Sequence, residues 1–269
     1  MEFPERLRTK RYVASCSFGK DSMATVLLAL MHNEPLNEVV YCEVMFDQNT
    51  SGEVPEHRDF IHGVAVPFLE KHGIRVNIVK SEKIFVTQFN RRIGGNGRNA
   101  GKIWSWPLCG CCYVQRDLKV RTMDAWKKKH WRDDEIVQYV GIANDETDRI
   151  AKMDSYKYQT VSLLEKYKFS ENDAFELCKK NGLLSPIYKF APRNGCFFCP
   201  NAKAKELRHL YDHHPDLWSK LLALQSLPDK ATERFNRVLT ITEIDAIFRL
   251  EDAQYSLFKN EEEIIPYTE

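Results

Sequence analysis

Short apolar runs alternate with helical patterns through the first half of the chain. Segments rich in β-branched and aromatic residues are predicted as strands at 11–16, 38–46, 75–79 and 136–141. Apolar residues recur at helical spacing within 23–31, 56–72 and 111–130, and Gly73 suits the end of the second of these helices. The alternation predicts an α/β fold with a doubly wound, mostly parallel sheet that helices cover on both faces.

From about residue 170 the pattern changes to helices and irregular loops. Helical spacing recurs within 171–180, 203–213 and 216–227. We therefore predict two domains, an α/β domain over residues 1–169 and a helical region over residues 170–269. The acidic residues from 258 onward are predicted to be poorly ordered.

The composition is that of a globular protein without a strong charge. The chain has 269 residues, 43% of them hydrophobic, and a formal net charge of +1. It therefore has no general electrostatic attraction to nucleic acid or membranes. No apolar run approaches the roughly 20 residues of a membrane helix, and the first residues do not resemble a signal peptide. We expect a cytoplasmic protein with no membrane partner, whose cysteines stay reduced.

The segment Ser-Phe-Gly-Lys-Asp-Ser, residues 17–22, lies where the first predicted strand gives way to a helix. Gly19 lets the backbone turn tightly and approach a ligand. The first amides of the following helix lack intrahelical partners and carry the positive end of the helix dipole. Such a turn binds phosphate, and Lys20 together with the hydroxyls of Ser17 and Ser22 would add charge and hydrogen bonds. The segment therefore predicts a pyrophosphate-binding loop.

The order Ser-x-Gly-x-Asp-Ser differs from the common Gly-x-x-x-x-Gly-Lys-Ser/Thr loop. It resembles the PP-loop of the ATP pyrophosphatase, or adenine nucleotide alpha-hydrolase, superfamily. Within that superfamily it is similar to the phosphoadenosine phosphosulfate (PAPS) reductase branch. Further segments resemble this family in the same order along the chain: residues 47–56, residues 141–149 with Ala143 in place of a family arginine, Cys111-Cys112 with Lys119, and residues 194–200.

This resemblance implies a site for an adenine nucleotide, ATP or PAPS, with Lys20 and Asp21 as catalytic residues. Splitting off pyrophosphate requires that its charge be neutralised, so Asp21 or Asp47 is expected to help hold Mg²⁺. The nucleotide contacts that the resemblance implies are Ser17, Phe18, Gly19, Lys20, Asp21, Ser22, Asp47, Gly141, Glu146 and Arg149.

The eight cysteines fall into two groups. Three sit singly in apolar or helical settings and are predicted to be buried structural thiols: Cys16, Cys42 and Cys178. Four resemble the thiolates that bind a [4Fe–4S] cluster in the reductases: Cys111, Cys112, Cys196 and Cys199. Four thiolates also suit tetrahedral zinc, but adjacent cysteines at the start of a helix diverge, which favours the cluster. Cys109 is either a replacement ligand or a nucleophile.

The resemblance implies an enzyme, a PP-loop ATP pyrophosphatase that adenylates an acceptor for sulfur transfer, as in DNA phosphorothioation or nucleic acid thiolation. No cysteine follows Cys199, so the chain lacks the C-terminal nucleophile with which family reductases form a thiosulfonate. A sulfonucleotide (PAPS/APS) reductase and a non-catalytic nucleotide- or redox-sensing module remain the alternatives. The implied partners are an adenine nucleotide, a nucleic acid or a sulfur-donor protein, and a homodimer is left open.

Three more features have an interpretation at this stage. The basic loop 91–102 either contacts nucleic acid phosphates, with Trp104 and Trp106 stacking on bases, or forms a mobile loop over the nucleotide site. The run of three lysines that begins at Lys127 is predicted to be a solvated helix end. For His57, which lies in a predicted cleft segment, we expect a surface role.

Overall fold

A computed structural model describes residues 9–108 and 112–262 of the chain. The chain divides into two compact units. The first, here called the sheet unit, comprises the described residues up to Phe85 together with Tyr113–Cys196. The second, the helical unit, comprises the described residues of Val86–Cys112 and those from Phe197 onward.

Five parallel strands form the sheet, in the order β3-β2-β1-β4-β5. They are β1 (Lys10–Ser15), β2 (Glu38–Glu43), β3 (Arg75–Lys80), β4 (Glu135–Tyr139) and β5 (Gln159–Val161). The predicted parallel α/β sheet is therefore confirmed. The strand that sequence analysis missed is β5, because its three residues are too few to show an alternating pattern.

The strands are connected by helices, as right-handed parallel crossovers require. Two segments are π-helical, Ile61–Ala65 and Val114–Val120, and Gly73 follows α3 with a φ of 75°, as predicted for a helix end. The α-helices are α1 (Lys20–Met31), α2 (Pro55–Phe60), α3 (Val66–Lys71), α4 (Phe85–Phe89), α5 (Arg121–His130), α6 (Thr147–Ile150), α7 (Leu163–Lys166), α8 (Glu171–Lys180), α9 (Ala204–His213), α10 (Pro215–Gln225) and α11 (Ile241–Glu262).

Both faces of the sheet are buried. Successive side chains of a strand point to opposite faces, and Ala14 accordingly belongs to the larger apolar cluster with α1, while Val13 belongs to a second cluster with Trp131. The second cluster lies under α5, where Lys127 is only 1% exposed. The prediction of a solvated run of lysines is therefore wrong for Lys127, although Lys128 and Lys129 are exposed.

Helix α8 packs on α1. The thiol of Cys178 on α8 donates to the Lys20 carbonyl at 3.2 Å, which ties the two helices together. Because of this packing, residues up to Cys196 belong to the sheet unit. The predicted boundary at residue 170 therefore does not coincide with the division in the structure.

The helical unit has its own aromatic core. Trp106 is 1% exposed and meets Phe89 and Phe235 edge-on, at centroid distances of 4.8 and 4.9 Å. A side chain buried in this way cannot stack on nucleic acid bases, so that interpretation is wrong for Trp106. Trp104 instead lies against the Arg91 guanidinium, 4.7 Å from the ring centroid.

The last described helix, α11, spans Ile241–Glu262, and residues 263–269 lie outside the described chain. The poorly ordered end predicted from residue 258 stays a prediction. Among the described helices, none is long and apolar enough to cross a membrane.

Candidate nucleotide site

The loop after β1 occupies the point where the strand order of the sheet reverses. β1 is flanked by β2 on one side and by β4 on the other, so the connections that leave these strands diverge above it. Open parallel sheets bind ligands at such a point, beyond the carboxyl ends of the strands. The predicted phosphate loop therefore lies where this fold places a ligand.

A cavity of about 380 Å³ opens at this point of the sheet unit. Its lining includes six of the predicted nucleotide contacts: Ser17, Gly19, Asp21, Ser22, Gly141 and Arg149. The other polar or thiol-bearing lining residues are Ser15, Cys16, Tyr41, Cys42, Gln115, Lys119 and Asn194. The topology thus gathers residues that are far apart in sequence around one opening.

The loop backbone is shaped for an anion at the start of α1. Gly19 is the extended residue before the helix and has no side chain to cap it. The Lys20 amide donates to the Tyr188 hydroxyl, so the amides of Asp21 and Ser22 are the ones that a ligand could reach. Phe18 has a φ of 58° and its fully buried ring packs edge-on against Tyr41 at 5.2 Å. The Phe18 amide donates to Cys16 Sγ at 3.3 Å and its side chain anchors the loop in the core, so the predicted nucleotide contact Phe18 shapes the loop and does not line the cavity.

Gly141 makes a close approach to the same first turn. A Cβ at this position would lie 2.6 Å from the Ser22 nitrogen and 2.7 Å from the Asp21 carbonyl carbon. Any larger residue would push the backbone of the chain after β4 away from the start of α1. The sequence pointed to Gly141 only through the family resemblance, and the structure supplies this physical reason.

The Ser17 carbonyl is held by two side chains that sequence analysis did not assign to the site. His57 Nε2 lies 3.0 Å from this oxygen and Asn194 Nδ2 donates to it at 3.2 Å. A carbonyl can only accept, so Nε2 carries the proton, and the Ser185 hydroxyl then donates to Nδ1 at 2.8 Å. Burial lowers the pKa of His57, which favours this neutral form. The expected surface role of His57 is wrong, because the ring is fully buried.

Lys20 does not line the cavity, so this structure does not place it at the phosphate contact that we predicted. Its Nζ binds Asp21 Oδ1 at 2.8 Å and Glu171 Oε2 at 2.7 Å. Burial alone would lower the pKa of Lys20, but its hydrogen bonds to these two carboxylates raise it. Burial in turn raises the pKa of Asp21. Even the Lys20 amide is occupied, since it donates to the Tyr188 hydroxyl at 2.7 Å.

Asp47 and Glu146 lie outside the cavity lining and hold their own turns. Asp47 Oδ1 accepts from the amides of Asn49 and Thr50 at 2.9 and 2.7 Å. Glu146 accepts from the Ala143 amide at 3.0 Å and forms an ion pair with Arg149. Glu146 thereby orients an arginine that lines the cavity, while Asp47 stabilises the loop after β2.

Two further polar groups of the cavity lining are the Tyr41 hydroxyl and the Lys119 ammonium. Tyr41 is 1% exposed, and its hydroxyl has no hydrogen-bond partner among the described residues. Lys119 Nζ lies 3.7 Å from Glu53. Burial alone would lower the pKa of Lys119, but the Glu53 carboxylate, with Cys196 and Cys42, holds it above its usual value. A cavity that contains a buried hydroxyl without a partner and an ammonium suits a polar, anionic ligand.

Three cysteines have the properties of structural thiols, as predicted. Cys16, Cys42 and Cys178 are buried, and burial raises their pKa to about 11, 11 and 12 respectively. Thiols with such high pKa values remain protonated and are poor metal ligands.

The predicted cluster ligands are only partly described. Cys109 and Cys111 lie outside the described residues, whereas Cys112, Cys196 and Cys199 are half-buried and not in a disulfide. In the sheet unit, the Lys119 ammonium is an electrostatic neighbour of Cys196. The backbone of Cys196 also forms an isolated antiparallel bridge with Glu53. The four-cysteine cluster itself stays a prediction.

A scan against protein-family models finds no match to this chain, and a search of curated proteins finds none. Among solved structures, a U34-tRNA thiolase, NcsA from Methanococcus maripaludis with its [4Fe-4S] cluster, is similar at 16% sequence identity. The match covers 81% of this chain and 72% of that protein, with a TM-score of 0.42. A TM-score this low does not establish a shared fold, so it supports none of the assignments above.

Proposed function

We propose that the sheet unit binds ATP or a related adenine nucleotide in the 380 Å³ cavity and cleaves it between the α- and β-phosphates, so that an acceptor is adenylated for sulfur transfer. The observation that carries this proposal is the position of the first turn of α1, which begins after a glycine without a capping side chain, at the reversal of the strand order. The resemblance of residues 17–22 to a PP-loop gives the nucleotide its expected identity. Nucleic acid thiolation is the process that the resemblance favours.

Several polar residues of the cavity would contribute to nucleotide binding. The amides of Asp21 and Ser22 in the first turn of α1 would bind the phosphates, and Arg149 adds a positive charge that Glu146 keeps in place. The Tyr41 hydroxyl and Lys119, which also line the cavity, offer a hydrogen bond and a second charge. Both charges would stabilise the negative charge that develops on the pyrophosphate leaving group.

Asp21 is the carboxylate of the cavity lining that fits Mg²⁺, since Mg²⁺ prefers oxygen ligands and is commonly bound by one or two carboxylates together with substrate phosphates. When bound, the ion would neutralise the leaving group. Lys20 competes for the same carboxylate through its 2.8 Å contact, so Lys20 must release Asp21 or share it. Asp47, engaged by its own loop, is the weaker candidate.

We assign Cys111, Cys112, Cys196 and Cys199 to a [4Fe–4S] cluster, with zinc as the alternative. Four thiolates suit both groups. The cluster would hold structure or handle sulfur.

The function is tested with anaerobically purified protein that is incubated with ATP or with PAPS and Mg²⁺. Release of pyrophosphate with AMP or an AMP adduct is expected from ATP, and a chelator should abolish it. Arg149→Gln should weaken nucleotide binding by about 10- to 100-fold, the loss of one charge-assisted hydrogen bond. Arg58→Gln, at an exposed arginine outside the cavity, is the matched control.

Other outcomes separate the alternatives. Sulfite from PAPS in the presence of an added dithiol reductant would show the reductase, and nucleotide binding without turnover would show the sensing module. If neither nucleotide binds, the proposed site is wrong.

A further inference from the structure

A second cavity, of about 530 Å³, lies in the sheet unit between the sheet and α5. The two cavities share four lining residues, Ser15, Gln115, Met123 and Val140, so they adjoin. A ligand of the second cavity would therefore lie beside a nucleotide in the first. The activity proposed above requires an acceptor in such a position, because the acceptor must reach the α-phosphorus.

Lys127 is the buried cation of this cavity. Its Nζ donates to Gln138 Oε1, lies 3.4 Å from Ser15 Oγ and sits 5.0 Å from the Tyr158 ring centroid. All three partners are uncharged, and no carboxylate of the described residues forms an ion pair with Lys127. A buried ammonium without a counterion is costly, and burial lowers the pKa of Lys127 to about 8.

The other charged groups of the cavity already have partners. Asp124, on the same helix as Lys127, pairs with Lys157 at 3.3 Å, and Lys157 also lies 5.1 Å from the Tyr158 ring centroid. These two opposite charges compensate each other, and the cavity retains one net positive charge, that of Lys127. One unpaired cation suits a single anionic group, whereas a nucleic acid backbone is bound by several lysines or arginines.

The remaining walls favour an apolar body. Val120, Met123 and Val140 are aliphatic, and Tyr156 and Tyr158 present aromatic rings. Ligand sites commonly combine such apolar walls with a few polar groups that fix the orientation of the ligand. The walls and the unpaired ammonium together describe a small molecule with one anionic end.

We propose that this cavity binds the acceptor, and that the acceptor is a small carboxylic acid with an apolar or aromatic body whose carboxylate contacts Lys127. The inference rests on the adenylation proposed above, and it names a small carboxylic acid as the acceptor in place of the nucleic acid that the resemblance favours. A carboxylate oxygen attacks the α-phosphorus, the bond from that phosphorus to the bridging oxygen breaks, and pyrophosphate leaves with the electron pair. The product is an acyl adenylate. The step needs no proton transfer, oxidant or reductant.

The test uses benzoate, phenylacetate and isovalerate as probes, with benzamide and phenylacetamide as uncharged counterparts of two of them. The readout is exchange of labelled pyrophosphate into ATP, and calorimetry follows binding of ATP and of the acids separately. We expect exchange with at least one acid and none with the amides. Lys127→Met should reduce acid binding by about 10- to 100-fold, whereas Lys128→Met, at the exposed neighbour, should match the wild type.

A second measurement separates binding at Lys127 from a structural effect. Because the pKa of Lys127 is about 8, a bound carboxylate should raise it, and the wild type should take up protons on binding acid at pH 8. Calorimetry in buffers of different ionisation enthalpy detects this uptake, which should disappear in Lys127→Met.

Equal binding of acids and amides, retained acid binding in Lys127→Met, or ATP binding without exchange for any acid would overturn the inference. Absence of ATP binding would instead refute the proposed function, and acid binding alone would then decide what the cavity holds.

Discussion

Replacement of Gly141 by alanine adds a single methyl group, but it should reduce both the stability of the protein and its affinity for nucleotide. The added Cβ would lie 2.6 Å from the Ser22 nitrogen, and real Cβ contacts are essentially never shorter than 3.0 Å. The clashing atoms belong to the backbone of α1, so no side-chain rotation can relieve the contact. The chain after β4 and the first turn of α1 must therefore separate by about 0.4 Å or more.

This overlap has two measurable consequences. Overpacking of a well-packed site costs roughly 1–3 kcal/mol, which should appear in the free energy of unfolding. The displaced amides of Asp21 and Ser22 are those proposed to bind the phosphates, and a misplacement of about 1 Å in a site can reduce its function about 10²-fold. We expect ATP affinity to fall by about 10- to 100-fold.

The assay is isothermal calorimetry with a nucleotide analogue that cannot be hydrolysed, together with urea unfolding followed by circular dichroism. Gly63→Ala is the matched control, because a Cβ on this helical glycine would meet nothing within 4 Å. That variant should keep its affinity and gain up to about 1 kcal/mol of stability, since alanine is the better helix former. Wild-type affinity and stability in Gly141→Ala would refute the reasoning.

Two further predictions concern His57 and the cysteines. The pKa of His57 is lowered from 6.5 by burial, so the contribution of His57 to stability is complete above pH 6.5 and is lost as the pH falls towards its folded pKa. His57→Gln should cost about 1–3 kcal/mol at pH 8, and in urea titrations it should reduce the loss of stability at acidic pH. An unchanged pH profile of stability in this variant would contradict the prediction. Cys196→Ser should give colourless, less soluble protein without iron or sulfide, whereas Cys178→Ser should behave like the wild type. Stoichiometric zinc without iron in the wild type would contradict the iron–sulfur assignment.

The sequence predicted the elements with strong local patterns. Strands β1 to β4 and helix α8 were found within a few residues, because apolar periodicity and flanking glycines are local signals. The short β5 was missed, since only its pairing with β4 defines it as a strand. The loop after β1 was predicted because a glycine at a strand-to-helix turn lets the backbone turn tightly and approach a ligand.

What escaped prediction depended on contacts between distant residues. Lys20 was expected at the phosphates, but no local pattern indicated that Glu171 would bind its ammonium. Lys127 stands in a run of lysines, and only the packing of α5 on the sheet separates it from its exposed neighbours. The hydrogen-bond partners of His57 are distant from it in sequence, so no local sequence pattern indicated its hydrogen bond to the Ser17 carbonyl.

The two hydrogen bonds on the Ser17 carbonyl also bear on how the chain folds. Their donors, His57 and Asn194, are 40 and 177 residues away from Ser17, and the central strand β1 pairs with β4, whose residues lie more than a hundred positions later. Contacts of such long range form slowly, because the entropy of closing long loops opposes them. The phosphate loop should therefore acquire its binding geometry only in the last steps of folding. Nucleotide would then bind only fully folded molecules and, by mass action, shift the equilibrium from late folding intermediates toward the native state.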